Sequence, residues 1–213
     1  MRWSQLFFCC LLITLKVAGQ GCVHTTLSKS LLFKTNVKRI KQGDYVRDSC
    51  IIRITVSYKQ ATKADITVTF STVELSKGDY ANCNWTRSYS TGKKAKSNGT
   101  IVLYEDYGDL VVGDFNFDGL EDFAAKRESP NGGTQYNYYV QKNGLFVLDK
   151  FLTEKVIYAP NRLNHSNHTL QIFGHVGAGW GETTFQLNKV NNTWKVISSR
   201  FLRSLPPGYP EPN

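Results

Sequence analysis

Two runs, Cys50-Ile-Ile-Arg-Ile-Thr-Val-Ser-Tyr58 and Asp65-Ile-Thr-Val-Thr-Phe-Ser-Thr-Val73, are rich in β-branched residues, and a polar, turn-like stretch separates them. That pattern predicts a β-hairpin. Shorter strand-like pieces follow at 101–104, 109–113, 121–126, 134–142, 144–151, 169–174, 182–189 and 193–200. Asn143-Gly144 stands between two of them, and both residues tolerate the positive φ that a two-residue hairpin turn requires. Residues 189–193 predict a second turn, and residues 76–100, polar and rich in Gly, Asn and Lys, a long connection. Pro206 to Pro212 cannot pair as a strand and reads as an extended tail. No apolar period of 3.6 persists for three turns. The chain reads as all-β.

Composition narrows this further. A chain of 213 residues suffices for one generous domain or two small ones, and 13% aromatic content excludes disorder. Met1-Arg2, the apolar run from Leu6 to Leu15 and the small residues Val17-Ala18-Gly19 form an export signal. Ten residues of helix span about half a hydrocarbon core, so the expected protein is exported, periplasmic or secreted, and not integral to a membrane. Removing Arg2 and Lys16 lowers the formal charge of +9 to near +7. No nucleic-acid module gives that charge a direction, so no nucleic-acid partner is expected.

Three cysteines remain after the signal, and an odd number in an oxidising compartment needs an explanation. In one reading Cys22 is the lipidated first residue of a lipoprotein and anchors the chain, leaving Cys50 and Cys83 to form a disulfide. In the other, cleavage before Gln20 leaves one thiol free or differently paired. The expected organisation is a signal peptide over 1–19 (1–21 for a lipoprotein), an N-terminal segment over 22–49, a single all-β domain over 50–205 and the tail at 206–213. Five Asn-x-Ser/Thr sequons, at Asn84, Asn98, Asn164, Asn167 and Asn191, fit a secreted glycoprotein and an Asn-rich bacterial protein equally.

The sharpest chemical feature is the stretch from Val111 to Phe123. Asp114, Asn116 and Asp118 place oxygens at positions 1, 3 and 5 of a tight loop, and Gly119 permits a sharp turn. Leu120 offers its carbonyl at position 7, and Asp122 falls at position 9. Such spacing suits Ca²⁺, which takes six to eight oxygens. Position 12 is Ala125 and the flanks read as strands, so the expected site is a β-loop calcium site and not an EF-hand. A second feature, Gly174 to Glu182, is glycine-rich, but no helix pattern follows to make it a nucleotide loop. It reads as a tight loop displaying Trp180, either as an interface anchor or as core. His165 and His168 read as a polar turn, and Lys93, Lys94 and Lys96 as a solvated cluster. Nucleophile, zinc-protease and phosphate-loop signatures are missing. Glu121 and Asp122, adjacent on a strand, face opposite sides and do not form an acid–base couple. The chain is not expected to be an enzyme.

With these residues in view, the chain resembles a bacterial family of exported, calcium-binding, lysozyme-inhibitor-like proteins. Some members act as immunity proteins, and the family is similar to periplasmic inhibitors of invertebrate-type lysozyme. The likeness runs loosely over residues 40–200 and is most specific at Gly113 to Asp122. It implies a calcium cofactor and a compact antiparallel β-sandwich or propeller-like domain. It also implies a protein partner, a lysozyme-like glycan hydrolase, met by the loop of Gly177, Gly179 and Trp180. The family's inhibitory loop usually ends in Tyr, where this chain has Trp180. The alternative is a calcium-stabilised extracellular binding or adhesion module with no inhibitory role. A single acidic loop argues against a propeller of repeats.

Overall fold

The structure, a computed structural model, describes residues 20–40, 48–60, 63–75, 78–92, 108–128 and 133–204. The expected signal at 1–19, the strand-like piece at 101–104, the Lys93, Lys94 and Lys96 cluster and the tail at 206–213 lie outside them. Among the described residues no helix is long and apolar enough to cross a membrane.

The chain is all-β and arranged as a sandwich. The first four strands, β1 (Gln20–His24), β2 (Leu31–Ile40), β3 (Asp48–Tyr58) and β4 (Ile66–Leu75), form an antiparallel meander. The next five are β5 (Thr86–Ser88), β6 (Leu110–Gly113), β7 (Asp122–Glu128), β8 (Gln135–Lys142) and β9 (Leu145–Leu148), hydrogen-bonded in that order. One parallel bridge, Glu74 to Glu128, makes these two groups a continuous nine-stranded sheet. A π-turn at Leu152–Val156 leads to a separate four-stranded sheet of β10 (Arg162–Asn164), β11 (Thr169–Val176), β12 (Gly179–Asn188) and β13 (Thr193–Leu202).

Two cores explain the layering. Successive strand residues point to opposite faces. In β6 and β7, Leu110, Val112, Phe123 and Ala125 pack with Phe33, Ile52, Ile54 and Val56 of the meander. Their neighbours Val111 and Ala124 join Tyr136, Tyr138, Leu170, Phe185 and Leu187 in a second core. The β5–β9 group is therefore the middle layer. All four residues of β6 are buried, as are the first five of β7. Burying one such Leu or Phe side chain contributes about 1.5–3 kcal/mol.

Asn143 and Gly144 take φ of 51° and 77° between β8 and β9, as their sequence predicted. The piece expected as strand at 149–151 instead starts the π-turn. Asp149 Oδ1 accepts from the Leu152 amide at 2.9 Å there, and Ile157 N bonds Leu152 O.

Two expectations require correction. The segment before Cys50 is no appendage to a domain starting at residue 50. It supplies β1, β2 and the start of β3; its Lys34 and Lys38 sit on the wet face of β2, while Arg39, on the other face, reaches Asp79 O. Along that strand Leu31, Phe33, Thr35 and Val37 are buried while Lys34 and Lys38 are exposed. The cysteine pairing also differs: Cys22 bonds Cys83, with Cα atoms 5.3 Å apart, and Cys50 keeps its thiol, buried in the first core where Arg39 Nη1 donates to its sulfur at 3.8 Å. Cysteine count alone cannot show that β1 brings Cys22 beside the turn carrying Cys83. A sulfur held in this disulfide has no thiol for a lipid, so neither the Cys50–Cys83 bridge nor lipidation of Cys22 stands.

Candidate functional site

The acidic loop joins β6 to β7 and is built from its own hydrogen bonds. Asp114 Oδ1 accepts from the Asp118 amide and Oδ2 from the Gly119 amide, both at 3.0 Å. Asn116 Oδ1 also accepts from Asp118 N, and Asp118 Oδ1 from Leu120 N at 2.8 Å. Gly119 adopts φ of 87°, as the turn requires, and Phe117 is held at 58°. Asp122 is fully buried: Oδ2 accepts from the Phe115 amide at 2.9 Å, and Oδ1 from Gln141 N of β8 at 2.8 Å. It ties the loop to the middle layer.

Burial pushes the Asp122 carboxyl well above its ordinary range against these amide bonds, and the nearby Asp118 and Asp114 charges add to the rise. Asp114 is raised as well, first by burial, although the Gly119 and Asp118 amides oppose the shift. Two side chains that sequence reading did not connect to the loop approach it. His165 Nδ1 stands 3.5 Å from Asp114 Oδ2, and Lys189 Nζ donates to Phe117 O at 3.2 Å. His165 and His168 both pack on the Phe117 ring, with centroids 5.4 and 5.8 Å away. These contacts link the four-stranded sheet to the loop and depend on tertiary pairing, so no local signal announces them.

Could the loop hold a hard cation? Asp114, Asn116, Asp118, the Leu120 carbonyl and Asp122 are all of one loop, and their chemistry suits Ca²⁺. Their side-chain oxygens serve loop or β8 amides, and a carboxylate oxygen so engaged keeps a second lone pair. A divalent cation would also relieve the charge that burial penalises at Asp122. Among the described residues no three His, Cys, Asp or Glu side chains are gathered as a metal cluster. Glu121 turns away from Asp122, accepting from the Ser28 hydroxyl and from Ser30 Oγ at 2.6 Å. Burial alone would raise its pKa, but these serine bonds outweigh it and hold the carboxyl below its usual value.

The glycine-rich stretch forms the tip of the β11–β12 hairpin. Gly177 takes φ of 58°, Val176 pairs with Gly179, and His175 pairs with Trp180. Trp180 is neither a free anchor nor core. It is half-buried and stacks on Phe173, with centroids 5.3 Å apart and planes 6° from parallel. Glu182, on the same face, is buried and accepts from Arg200 Nε at 2.7 Å. The opposite face of this hairpin shares its side with Phe185 and Leu187 but runs beyond the second core. Here Val176 and Phe201 are 54% and 56% exposed. The Phe201 ring lies over Gly179, and Val176 Cγ2 lies 2.7 Å from where a side chain at Gly181 would begin. Sequence reading missed this pair because Phe201 joins the tip only through the β12–β13 register. Comparison of the chain with protein-family models, curated proteins and solved structures yields no match in any of the three.

Proposed function

We propose that the chain is an exported, calcium-stabilised inhibitor or immunity protein that blocks a lysozyme-like glycan hydrolase. The observation that carries this reading is the outer end of the four-stranded sheet. Val176 and Phe201 project there over Gly179 and Gly181, while Trp180 and Phe173 stiffen the other side. Glycines let a partner's surface approach the backbone, and an exposed aromatic beside them offers apolar area for insertion into a cleft. In this reading Asp114, Asn116, Asp118, Leu120 and Asp122 hold a calcium ion whose role is structural, securing the loop between the middle and third layers.

Inhibition and binding by the purified protein, measured against a panel of lysozyme classes with calcium and with chelator, test the proposal. Phe201→Ala should weaken binding about 30-fold, or about 2 kcal/mol, with melting nearly unchanged. Trp180→Ala, which strips the cover from Phe173, should lower melting as well. Failure to bind or inhibit any lysozyme class would remove the inhibitor reading. A calcium-dependent extracellular partner of another kind would then favour the adhesion-module alternative, which the same sheet end suits.

A further inference from the structure

We propose that Lys126 and Asp79 condense into an intramolecular isopeptide bond, with Asp109 as the proton carrier. Three ionisable side chains meet away from water beside the first core. Lys126 Nζ lies 2.8 Å from Asp79 Oδ1 and 3.9 Å from Asp109 Oδ1, and the three side chains are 4%, 11% and 5% exposed. Their backbones are locked together from several directions. The Lys126 amide donates to Asp109 O at 2.9 Å, the Tyr80 amide to Asp109 Oδ2 at 2.7 Å, and the Tyr80 hydroxyl to Lys126 O at 2.8 Å. Arg39 Nη2 donates to Asp79 O at 2.5 Å. Tyr80, next to Asp79, is kept at φ of 56°, a conformation that a non-glycine residue holds only when its surroundings impose it.

Condensation needs an un-ionised amine and acid, and one proton passed across the 2.8 Å contact from Lys126 to Asp79 supplies both. The amine lone pair then attacks Asp79 Cγ. Asp109 takes a proton from Nζ and returns it to the departing hydroxyl. The Nζ–Cγ bond forms, the C–O bond breaks and one water leaves, so no oxidant or cofactor is needed. Fixed neighbours at this range give the encounter a high effective concentration. The product would tie the 78–85 turn to β7, and the Cys22–Cys83 disulfide already ties that turn to β1.

Peptide mapping of the folded wild-type chain, after unfolding, reduction and enzymatic deglycosylation, decides the matter. Trypsin should leave the Lys126–Arg127 bond uncut and release residues 78–87 joined to residues 97–127, lighter than the two peptides together by the mass of one water. Lys126→Arg, which retains the charge, should release them separately, and Asp109→Asn should leave most of the chain unlinked. Recovery of linear 78–87 and of a peptide ending at Lys126 from the folded wild type would overturn the bond and leave a buried ion pair. Full linkage in Asp109→Asn would overturn the role of Asp109.

Discussion

Replacing both Cys22 and Cys83 with alanine should cost far more stability than replacing Cys50, although Cys50 is the more deeply buried. The disulfide spans a sequence separation of 61 residues. The chain-entropy relation converts a loop of that size into about 4 kcal/mol at 25 °C, by restricting the unfolded ensemble. Cys50, at 1% exposure in the first core, loses one sulfur atom on mutation to alanine, and a deletion of that size costs about 1 kcal/mol. For a chain of this length each kcal/mol moves the melting temperature by about 2–4 °C. The double variant should therefore melt about 8–16 °C below wild type, and Cys50→Ala only a few degrees below. Urea unfolding with and without dithiothreitol supplies the control. Reductant should bring wild type and Cys50→Ala down by similar amounts and leave the double variant unmoved. If Cys50→Ala proves as damaging as the double variant and insensitive to reductant, or if a non-reducing peptide map links Cys50 to Cys83, the pairing argued above is wrong.

Calcium should raise the melting temperature and a chelator lower it, by about 2.7 kcal/mol of stability when the ion is a hundredfold above its dissociation constant. Mg²⁺, which demands tighter octahedral geometry, should substitute poorly. Asp118→Ala should abolish that response at little cost without calcium, because Asp118 is exposed and, among the described residues, its hydrogen bonds stay within the loop. Asp122→Ala should destabilise even without calcium, since it frees the Gln141 and Phe115 amides; absence of both calorimetric heat and melting change at millimolar calcium would end the calcium proposal. Burial pushes the Tyr139 phenol from 10.0 up to about 12. An acid raised on folding contributes stability that is fully present below the unfolded value and is lost as pH climbs through the folded one. Stability should fall between about pH 10 and 12, and Tyr139→Phe should flatten that fall in alkaline melts; an unchanged slope would refute the assignment.

The amino-acid sequence alone determined what is set within a few neighbouring residues. The strand runs at 50–58 and 65–73 announced themselves because β-branched side chains favour extended backbone. The Asn143-Gly144 turn did so because few residues accept positive φ. The acidic loop was legible for the same reason: Asp114, Asn116, Asp118 and Gly119 bond one another across no more than five positions. Tertiary structure decided everything that depends on which strands lie side by side. Strand β2, hidden in a basic stretch, became visible only when the meander buried alternate residues. Cys22 found Cys83 and not a lipid because β1 passes the 78–85 turn. Trp180, prominent by its glycine neighbours, leans on Phe173, and the exposed positions fell to Val176 and Phe201. Lys126, Asp79 and Asp109, 17 to 47 positions apart, meet only after β6 and β7 pair. Local dihedral preferences act within a few residues, whereas packing between layers is a cooperative property of the whole chain, and no short segment encodes its partner's identity.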